Sequence, residues 1–298
     1  MFNQDVYEMN QEFYNLILSR NSVRRYRQEK LDSTILDTIE DICNSVQPLI
    51  TGNSFYFQIL DYHDRLSIQK LGGTGKLMRP SHVLVPSMVG SNHVLEDLGY
   101  RTQQIVLGIW NLGIGSCYIG CVHHRSAWKN RISRIDYAQI VANVAFGYPS
   151  EGFETRIIKT IYDNFFNTGY RFPVEMIYFQ HSFDHPSVPQ GGLAKIINAG
   201  RMAPSAVNAQ PWRFLDKDNR VTLYIILKRT GRIFDRNQNY AYHDAGVCMA
   251  NMKVAADSLG FPLNWSLVES KDGINVDGYL YLPISYFNKP DDSESMIL

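Results

Sequence analysis

The chain has 298 residues, and its 29 basic and 29 acidic side chains give a formal net charge of zero. A neutral chain has no general reason to coat nucleic acid or an anionic membrane surface, and we expect neither as a partner. Hydrophobic residues make up 45% of the chain and charged residues 19%, which supports a buried core and excludes wholesale disorder.

The compartment is predicted from the N-terminus, the hydropathy and the cysteines. No basic region followed by an apolar stretch opens the chain, and no run approaches the ~18 apolar residues of a membrane span. Four cysteines are too few for a disulfide framework of this size, so we expect a cytoplasmic protein with reduced thiols. We expect no metal, although Cys117, Cys121, His123 and His124 leave a metal site open as an alternative.

Apolar periodicity and turn residues predict two successions of elements along the chain. The first has helices over residues 11–18, 36–42 and 105–112, with strands over residues 55–60, 80–86 and 140–146. The second has helices over residues 193–197 and 247–258, with strands over residues 212–215 and 276–282. Each half is interpreted as helix, strand, strand, helix, strand, strand.

The two successions share landmarks at a constant spacing. Asp97 and Asp244 are 147 residues apart, and the same spacing superimposes the tripeptide Leu112-Gly113-Ile114 on Leu259-Gly260-Phe261. A glycine directly after a last helical turn is a C-cap signal. The pattern predicts an internally duplicated α+β protein with halves 1–166 and 167–298, packed as a pseudo-dimer. Coincidence between two α+β segments is the alternative. Ligand sites favour such interfaces.

Three segments carry candidate chemistry. Residues 19–26 read SRNSVRRY and offer several donors, and arginine binds phosphate through paired hydrogen bonds; a solvated basic turn is the alternative. Residues 203–212 read APSAVNAQPW, a rigid polar loop that suits a planar ligand or caps its own backbone. Residues 113–121 read GIGSCYIGC, which permits close backbone approach to a ligand or makes an ordinary helix-to-strand connection.

With these segments, the chain resembles the FMN-dependent nitroreductase family. Residues 19–26 resemble its R-x-S-x-R phosphate motif, and residues 204–212 match its P-S-x-x-N-x-Q-P-W loop. Residues 118–121 resemble the stretch whose amides face flavin N5 and O4. Gly147-Tyr148-Pro149, followed by Arg156, resembles its "GYP" strand and distal basic residue. The two-halved layout resembles the TM-type nitroreductases, in which one chain mimics the usual dimer.

The resemblance implies a nitroreductase-like α+β fold, with a mainly antiparallel sheet flanked by helices in each half, and a set of FMN contacts. Arg20, Ser22, Arg24 and Arg156 would hold the phosphate and ribityl groups, and Lys76 would lie near N1 and O2, where a cation stabilises reduced flavin. Lys76 as a solvated loop residue is the alternative. The complete set of predicted cofactor-binding residues is Arg20, Asn21, Ser22, Arg24, Lys76, Tyr118, Ile119, Gly120, Cys121, Arg156, Pro204, Ser205, Asn208 and Gln210.

The departures from the family pattern predict a single site. The arginine motif is present only in the first half. At the corresponding position, residues 183–188, the second half reads FDHPSV. The polar loop is present only in the second half. At the corresponding position, residues 48–53, the first half reads PLITGN. One complete site built across the two halves is therefore expected, with one flavin per chain in a monomeric pseudo-dimer.

The resemblance implies an FMN-dependent oxidoreductase. It would take hydride from NADH or NADPH through flavin N5, in ping-pong exchange, and reduce an electron-poor acceptor such as a nitro compound or quinone. A non-catalytic FMN storage or sensor protein is the main alternative. A structural or interaction protein with an empty cleft is a further one.

Overall fold

The computed structural model describes residues 13–62, 78–120, 138–150, 160, 169–227, 239–269 and 272–289. They form two compact units. The first unit lies within Arg20–Gly169, and the second lies within Tyr170–Leu298 and includes residues 13–19. The predicted boundary between residues 166 and 167 falls outside the described residues and stays a prediction. Within the described ranges, no helix combines the length and the hydropathy needed to cross a membrane.

The described part of the first unit contains a four-stranded antiparallel sheet and two complete helices. Its elements in chain order are α1 (Ser33–Ser45), β1 (Ser54–Asp61), β2 (His82–Val89), α2 (Val94–Asn111), β3 (Gly115–Gly120) and β4 (Ala142–Gly147), and the strand order is β1-β2-β4-β3. Strand β2 is buried along almost its whole length because it lies between two neighbours, whereas β1 is an edge strand whose residues are exposed or half-buried.

The second unit is a larger sheet with two helices after Tyr170, and its described residues 13–19 are also helical. Its helices are α3 (Gly191–Arg201) and α4 (Asn239–Ser258), and its strands are β5 (Tyr178–Gln180), β6 (Trp212–Lys217), β7 (Arg220–Leu227), β8 (Ser266–Leu267), β9 (Ile274–Val276) and β10 (Tyr279–Asn288). The strand order is β5-β6-β7-β10-β8, with β9 paired to β10. Only β5 and β6 pair in parallel among the described strands.

The α+β class is as predicted, and the two units share a topology. In each, a helix precedes two antiparallel strands and a second helix precedes the later strands, and the second unit adds β5 before its first helix. The order β1-β2-β4-β3 in the first unit corresponds to β6-β7-β10-β8 in the second. This common order supports the predicted internal duplication, which remains an interpretation.

The two long helices end alike, as the 147-residue spacing predicts. Gly113 and Gly260 have φ of +74° and +67°, conformations that glycine adopts without strain. The amides of Ile114 and Phe261 donate to the carbonyls of Ile109 and Ala256, five residues earlier, at 3.2 and 2.8 Å. With the bond from each glycine amide to a carbonyl three residues earlier, this is the Schellman pattern.

The prediction of one strand over residues 276–282 is wrong. Asp277 and Gly278 both have positive φ, 48° and 81°, and form the two-residue loop of a hairpin in which Val276 pairs with Tyr279. An Asp-Gly pair is a strong hairpin signal because both loop positions of this turn need positive φ. The segment therefore divides between β9 and β10. The other predicted strand boundaries move by a few residues, and the strand predicted over 80–86 is β2.

Candidate functional site

The arginine segment of the first unit is fixed along strands β3 and β4. The Val23 amide donates to the Ser116 carbonyl at 2.9 Å, and the Ser150 amide donates to the Arg25 carbonyl at 3.1 Å. The Tyr26 hydroxyl donates to the carbonyls of Val23 and Ala145, and its ring is buried. The structure thus brings the predicted phosphate motif beside β3 and beside the Gly147-Tyr148-Pro149 motif.

The arginine segment runs beside Cys117 of β3, since Ser22 forms a β-bridge with Ser116. Burial raises the pKa of Cys117, while the charges of Arg24 and Arg20 and hydrogen bonds from Ser22 and Arg24 oppose that rise. Arg20 is only 5% exposed. The sequence predicts that Arg20, Ser22 and Arg24 act together, but names Cys117 only in the alternative metal site. Its position directly before Tyr118 in the small-residue stretch was the available signal.

The remaining predicted residues of the first unit differ in which of their groups are accessible to a ligand. Asn21 is exposed. The Tyr118 hydroxyl donates to Gln103 Oε1 at 3.0 Å, so its side chain already has a partner. The Ile119 side chain is buried in the core beside Tyr26, so the side chain is not available to a ligand. Gly120 is exposed at the end of β3. Lys76, Cys121 and Arg156 lie outside the described residues.

The polar loop of the second unit, residues 204–211, lies between α3 and β6 and is folded into an unusual conformation. Val207, Asn208 and Gln210 have φ of 48°, 54° and 46°. A positive φ costs Val207 and Gln210 roughly 1–2 kcal/mol each, whereas asparagine tolerates it better, so other contacts must hold this conformation. Within the loop, the Gln210 amide donates to Ser205 Oγ at 2.9 Å and the Asn208 amide donates to the Ser205 carbonyl at 3.0 Å.

The side-chain amides of this loop bind Tyr170–Phe172 of the same unit. Asn208 Nδ2 donates to the Tyr170 carbonyl at 2.9 Å, and Arg171 Nη1 donates to Asn208 Oδ1 at 3.0 Å. The Phe172 amide donates to Gln210 Oε1 at 3.0 Å, and Gln210 is 1% exposed. Gln210 therefore binds backbone, in keeping with the alternative of a loop that caps its own chain, and Asn208 is half-buried.

Two arginines contact the Tyr170–Phe172 segment, which itself includes Arg171. Arg201 Nη1 donates to the Phe172 carbonyl at 3.4 Å, and Arg213 lies over the Phe172 ring, with its guanidinium carbon 5.3 Å from the ring centroid. Burial lowers the pKa of Arg171 and of Arg213, and for Arg171 the neighbouring charge of Arg201 lowers it further. These contacts tie the segment to α3 and β6, on either side of the loop, and the loop sequence alone does not reveal them.

A buried carboxylate on α4 anchors the same loop. Asp244 Oδ2 accepts a hydrogen bond from the Ala206 amide at 2.9 Å, and Asp244 is 5% exposed. Burial raises the pKa of Asp244, and the adjacent His243 opposes that rise. Sequence reasoning used Asp244 only as a repeat landmark and did not assign it to the loop.

The predicted residues thus fall into two groups, one in each unit. Arg20, Ser22, Arg24, Tyr118, Ile119 and Gly120 belong to the first unit, and Pro204, Ser205, Asn208 and Gln210 belong to the second. Among the described residues, no three His, Cys, Asp or Glu side chains cluster as metal ligands. The alternative metal site includes Cys121, His123 and His124, which lie outside those residues.

Comparisons with known proteins identify a family for the chain and a solved structure of similar fold. The sequence model of the family described as "Putative TM nitroreductase" matches residues 12–256. A structure described as a "putative nitroreductase" from Thermotoga maritima is similar over 91% of this chain and 93% of its own, at 16% identity and a TM-score of 0.55. That likeness shows the fold.

Other solved structures match about half of the chain. An FMN-dependent nitroreductase from Clostridium difficile matches 46% of this chain and 88% of its own, at 18% identity and a TM-score of 0.39. A "putative nitroreductase" from Desulfovibrio desulfuricans, solved in complex with FMN, matches 47% of this chain and 87% of its own, at 15% identity and a TM-score of 0.41. No curated protein is similar enough in sequence to count as a relative.

Proposed function

Because the chain belongs to the TM nitroreductase family, whose sequence model matches residues 12–256, we propose that it is an FMN-dependent oxidoreductase. The observation that carries the proposal is the placement of Arg20, Ser22 and Arg24 along β3, where Ser22 forms a β-bridge with Ser116 and the Val23 amide donates to the Ser116 carbonyl. Two guanidinium groups and a hydroxyl are the donors that a phosphate monoester prefers. Their chemistry therefore fits the phosphate end of FMN.

The proposal assigns distinct tasks to the residues of the two units. Arg20, Ser22 and Arg24 bind the phosphate and the adjacent ribityl group, together with Asn21 and Arg156. The backbone amides of the stretch that contains Tyr118, Ile119, Gly120 and Cys121 donate to N5 and O4. Lys76 stabilises negative charge near N1 and O2. Pro204, Ser205, Asn208 and Gln210 shape the loop that contacts the ribityl chain and ring.

When bound, FMN supplies the group that accepts hydride from NADH or NADPH and passes it to an electron-poor acceptor, a nitro compound or a quinone, by ping-pong exchange. The chain's part is to bind and orient it. Since the arginine motif and the polar loop each occur once in the chain, the proposal requires one FMN per chain.

The phosphate assignment is tested by comparing FMN with riboflavin, which lacks the phosphate. The wild-type protein should bind FMN more tightly than riboflavin, and Arg24→Met should lose about 10-fold to 100-fold in FMN affinity, because a hydrogen bond to a charged group contributes about 1.5–3 kcal/mol. Riboflavin affinity should change by less than about threefold. Equal losses for both ligands would contradict the phosphate role.

Arg27 offers a matched control in the same segment. Its side chain is 61% exposed and pairs with Glu29 at 3.4 Å, so Arg27→Met removes one positive charge without removing a proposed ligand. Its affinity for FMN should stay close to that of the wild-type protein. Calorimetric titration gives the stoichiometry in the same experiment, and two flavins per chain would contradict the single site.

Catalysis is tested separately from binding. Anaerobic mixing of the FMN-loaded protein with NADH or NADPH should bleach the flavin absorbance rapidly, and an added quinone or nitroaromatic compound should restore it. Tight FMN binding without bleaching by either nucleotide would instead indicate the storage or sensor function. A protein that binds no FMN would overturn the whole proposal.

A further inference from the structure

We propose that Asp244 is a positioning residue that holds the loop of residues 204–211 in the conformation needed to bind the cofactor. The inference rests on the proposed function. Asp244 lies on α4 and reaches the loop through a single described hydrogen bond, from the Ala206 amide to Oδ2 at 2.9 Å. Ala206 directly precedes the three residues of positive φ, so this bond fixes the start of the strained turn.

The turn needs such an anchor for a physical reason. Positive φ at Val207, Asn208 and Gln210 disfavours this conformation relative to ordinary loop conformations. Strained backbone of this kind persists only where the surrounding structure determines it strongly. The Ser205 bonds lie within the loop, whereas Asp244 ties it to a helix. A hydrogen bond to a buried carboxylate is also stronger than one to a neutral acceptor.

The first unit contains the same device. Asp97 lies on α2 at the position related to Asp244 by the 147-residue spacing, and its Oδ1 accepts a hydrogen bond from the Leu49 amide at 2.9 Å. Leu49 lies between α1 and β1, as Ala206 lies between α3 and β6. Each unit therefore uses a buried carboxylate on its longer helix to hold the loop that follows its shorter helix.

The two carboxylates differ in what else they bind. Arg101, one turn after Asp97, donates to both carboxylate oxygens at 3.0 Å, and Asn53 Nδ2 donates to Oδ2 at 3.1 Å. The position one turn after Asp244 is Cys248, a buried thiol, and His243 Nδ1 lies 3.9 Å from Asp244 Oδ1. In the unit that lacks the polar loop motif, the carboxylate is thus matched by an arginine of its own helix.

Because of this difference, we expect the loss of Asp97 and the loss of Asp244 to have different effects. Asp97 holds its loop as part of an ion pair, so its loss should affect the stability of the first unit. Asp244 holds the loop that carries Ser205, Asn208 and Gln210, so its loss should affect how that loop meets the cofactor. A merely structural role for Asp244 would lower stability and leave the cofactor affinity of the folded protein unchanged.

The test compares Asp244→Ala with Asp244→Asn, and both with Asp97→Ala as the matched control. Asp244→Ala removes the acceptor and should weaken FMN binding about tenfold or more, because FMN must then order the loop without the free energy of a hydrogen bond to a charged group. Asp244→Asn keeps an oxygen acceptor for the Ala206 amide and should restore FMN affinity to within about threefold of wild type. Asp97→Ala should lose stability but bind FMN within about twofold of wild type.

Hydrogen exchange of the ligand-free proteins provides a readout that does not depend on FMN. Asp244→Ala should speed amide exchange in peptides covering residues 204–211 and leave residues 48–53 unchanged, and Asp97→Ala should do the reverse. If Asp244→Ala does not fold, Asp244→Ser, which is too short to reach the Ala206 amide, replaces it. A wild-type protein that binds no FMN would refute the proposed function while exchange still tests the loop anchor.

Two outcomes would overturn the positioning role. One is a folded Asp244→Ala variant that binds FMN as tightly as the wild-type protein, while that protein does bind FMN. The other is unchanged exchange over residues 204–211 in that variant. Failure of Asp244→Asn to restore affinity, with the loop still protected from exchange, would show that the charge acts on the cofactor and not on the loop, and would equally overturn it.

Discussion

Replacing Gly115 by alanine should displace the arginine segment without touching an arginine. A Cβ at this position would lie 2.7 Å from Val23 Cγ2 and 2.8 Å from both Cβ and Cγ1 of the same side chain. Carbon atoms pack at about 3.5–4.0 Å, so Val23 must move by about 1 Å. The Val23 amide donates a hydrogen bond to the Ser116 carbonyl at 2.9 Å. Moving Val23 therefore either breaks this hydrogen bond or shifts the backbone from Ser22 to Arg24.

The expected cost of Gly115→Ala is about 1–3 kcal/mol in the free energy of unfolding, the usual range for overpacking a well-packed site. If the displaced arginines lose about 1 kcal/mol of their interaction with phosphate, the dissociation constant for FMN rises about fivefold. Urea unfolding measures the first quantity and fluorescence titration with FMN measures the second, on the same preparations.

Two neighbouring glycines supply the controls. Gly113 has φ of +74° and open space around its missing Cβ, so Gly113→Ala should cost about 1 kcal/mol by backbone strain alone and leave FMN affinity unchanged. A Cβ at Gly108 would lie 2.9 Å from Ile42 Cγ2, so Gly108→Ala overpacks the contact of α2 with α1 away from the arginines. The reasoning is refuted if Gly115→Ala binds FMN like wild type, or if all three variants weaken FMN equally.

Three further predictions concern ion pairing, thiol reactivity and pH. Arg101→Met should lower the free energy of unfolding by about 3–5 kcal/mol, because it leaves the fully buried Asp97 without its cation; a loss under about 1 kcal/mol in urea unfolding would show that the pair contributes little. Burial raises the pKa of Cys43 to about 12 and also raises the pKa values of Cys117 and Cys248. Because the thiolate is the reactive form, peptide mass spectrometry should find slow alkylation of all three thiols. Fast labelling of the folded protein would contradict this. Burial raises the pKa of Asp244 above its ordinary 3.8, so the folded state binds that proton more tightly than the unfolded state. The stability that this proton contributes at low pH is lost as pH rises through the folded pKa. Unfolding curves from about pH 4 to about pH 8 should therefore show Asp244→Asn gaining stability relative to wild type as pH rises, and a constant difference would contradict the shift.

The family could be predicted from short motifs in the sequence, and the family match over residues 12–256 confirms that prediction. The α+β class and most element positions are also as predicted, because they depend on local signals. Apolar periodicity marks α1 and α2, and glycines after the last turn mark the helix ends at Gly113 and Gly260. Such signals act within a few residues of the chain.

The hairpin at Asp277 and Gly278 departs from the prediction although its signal is equally local. The apolar residues on either side of this pair predict one continuous strand, whereas the pair itself favours a turn in which both residues have positive φ. The turn prevails because the two flanking segments pair with each other as β9 and β10. The sequence therefore carries the information that divides the strand.

The sequence by itself determined which residue types are available, where helices and strands form, and where the chain turns. Only the tertiary structure decided that Gln210 binds the Phe172 amide, that Asp244 holds Ala206, and that the arginine segment lies along β3. The reason is physical. Periodicity and capping depend on neighbours within one or two turns, whereas burial, hydrogen-bond partners and pKa depend on groups that are distant in sequence until folding brings them into contact.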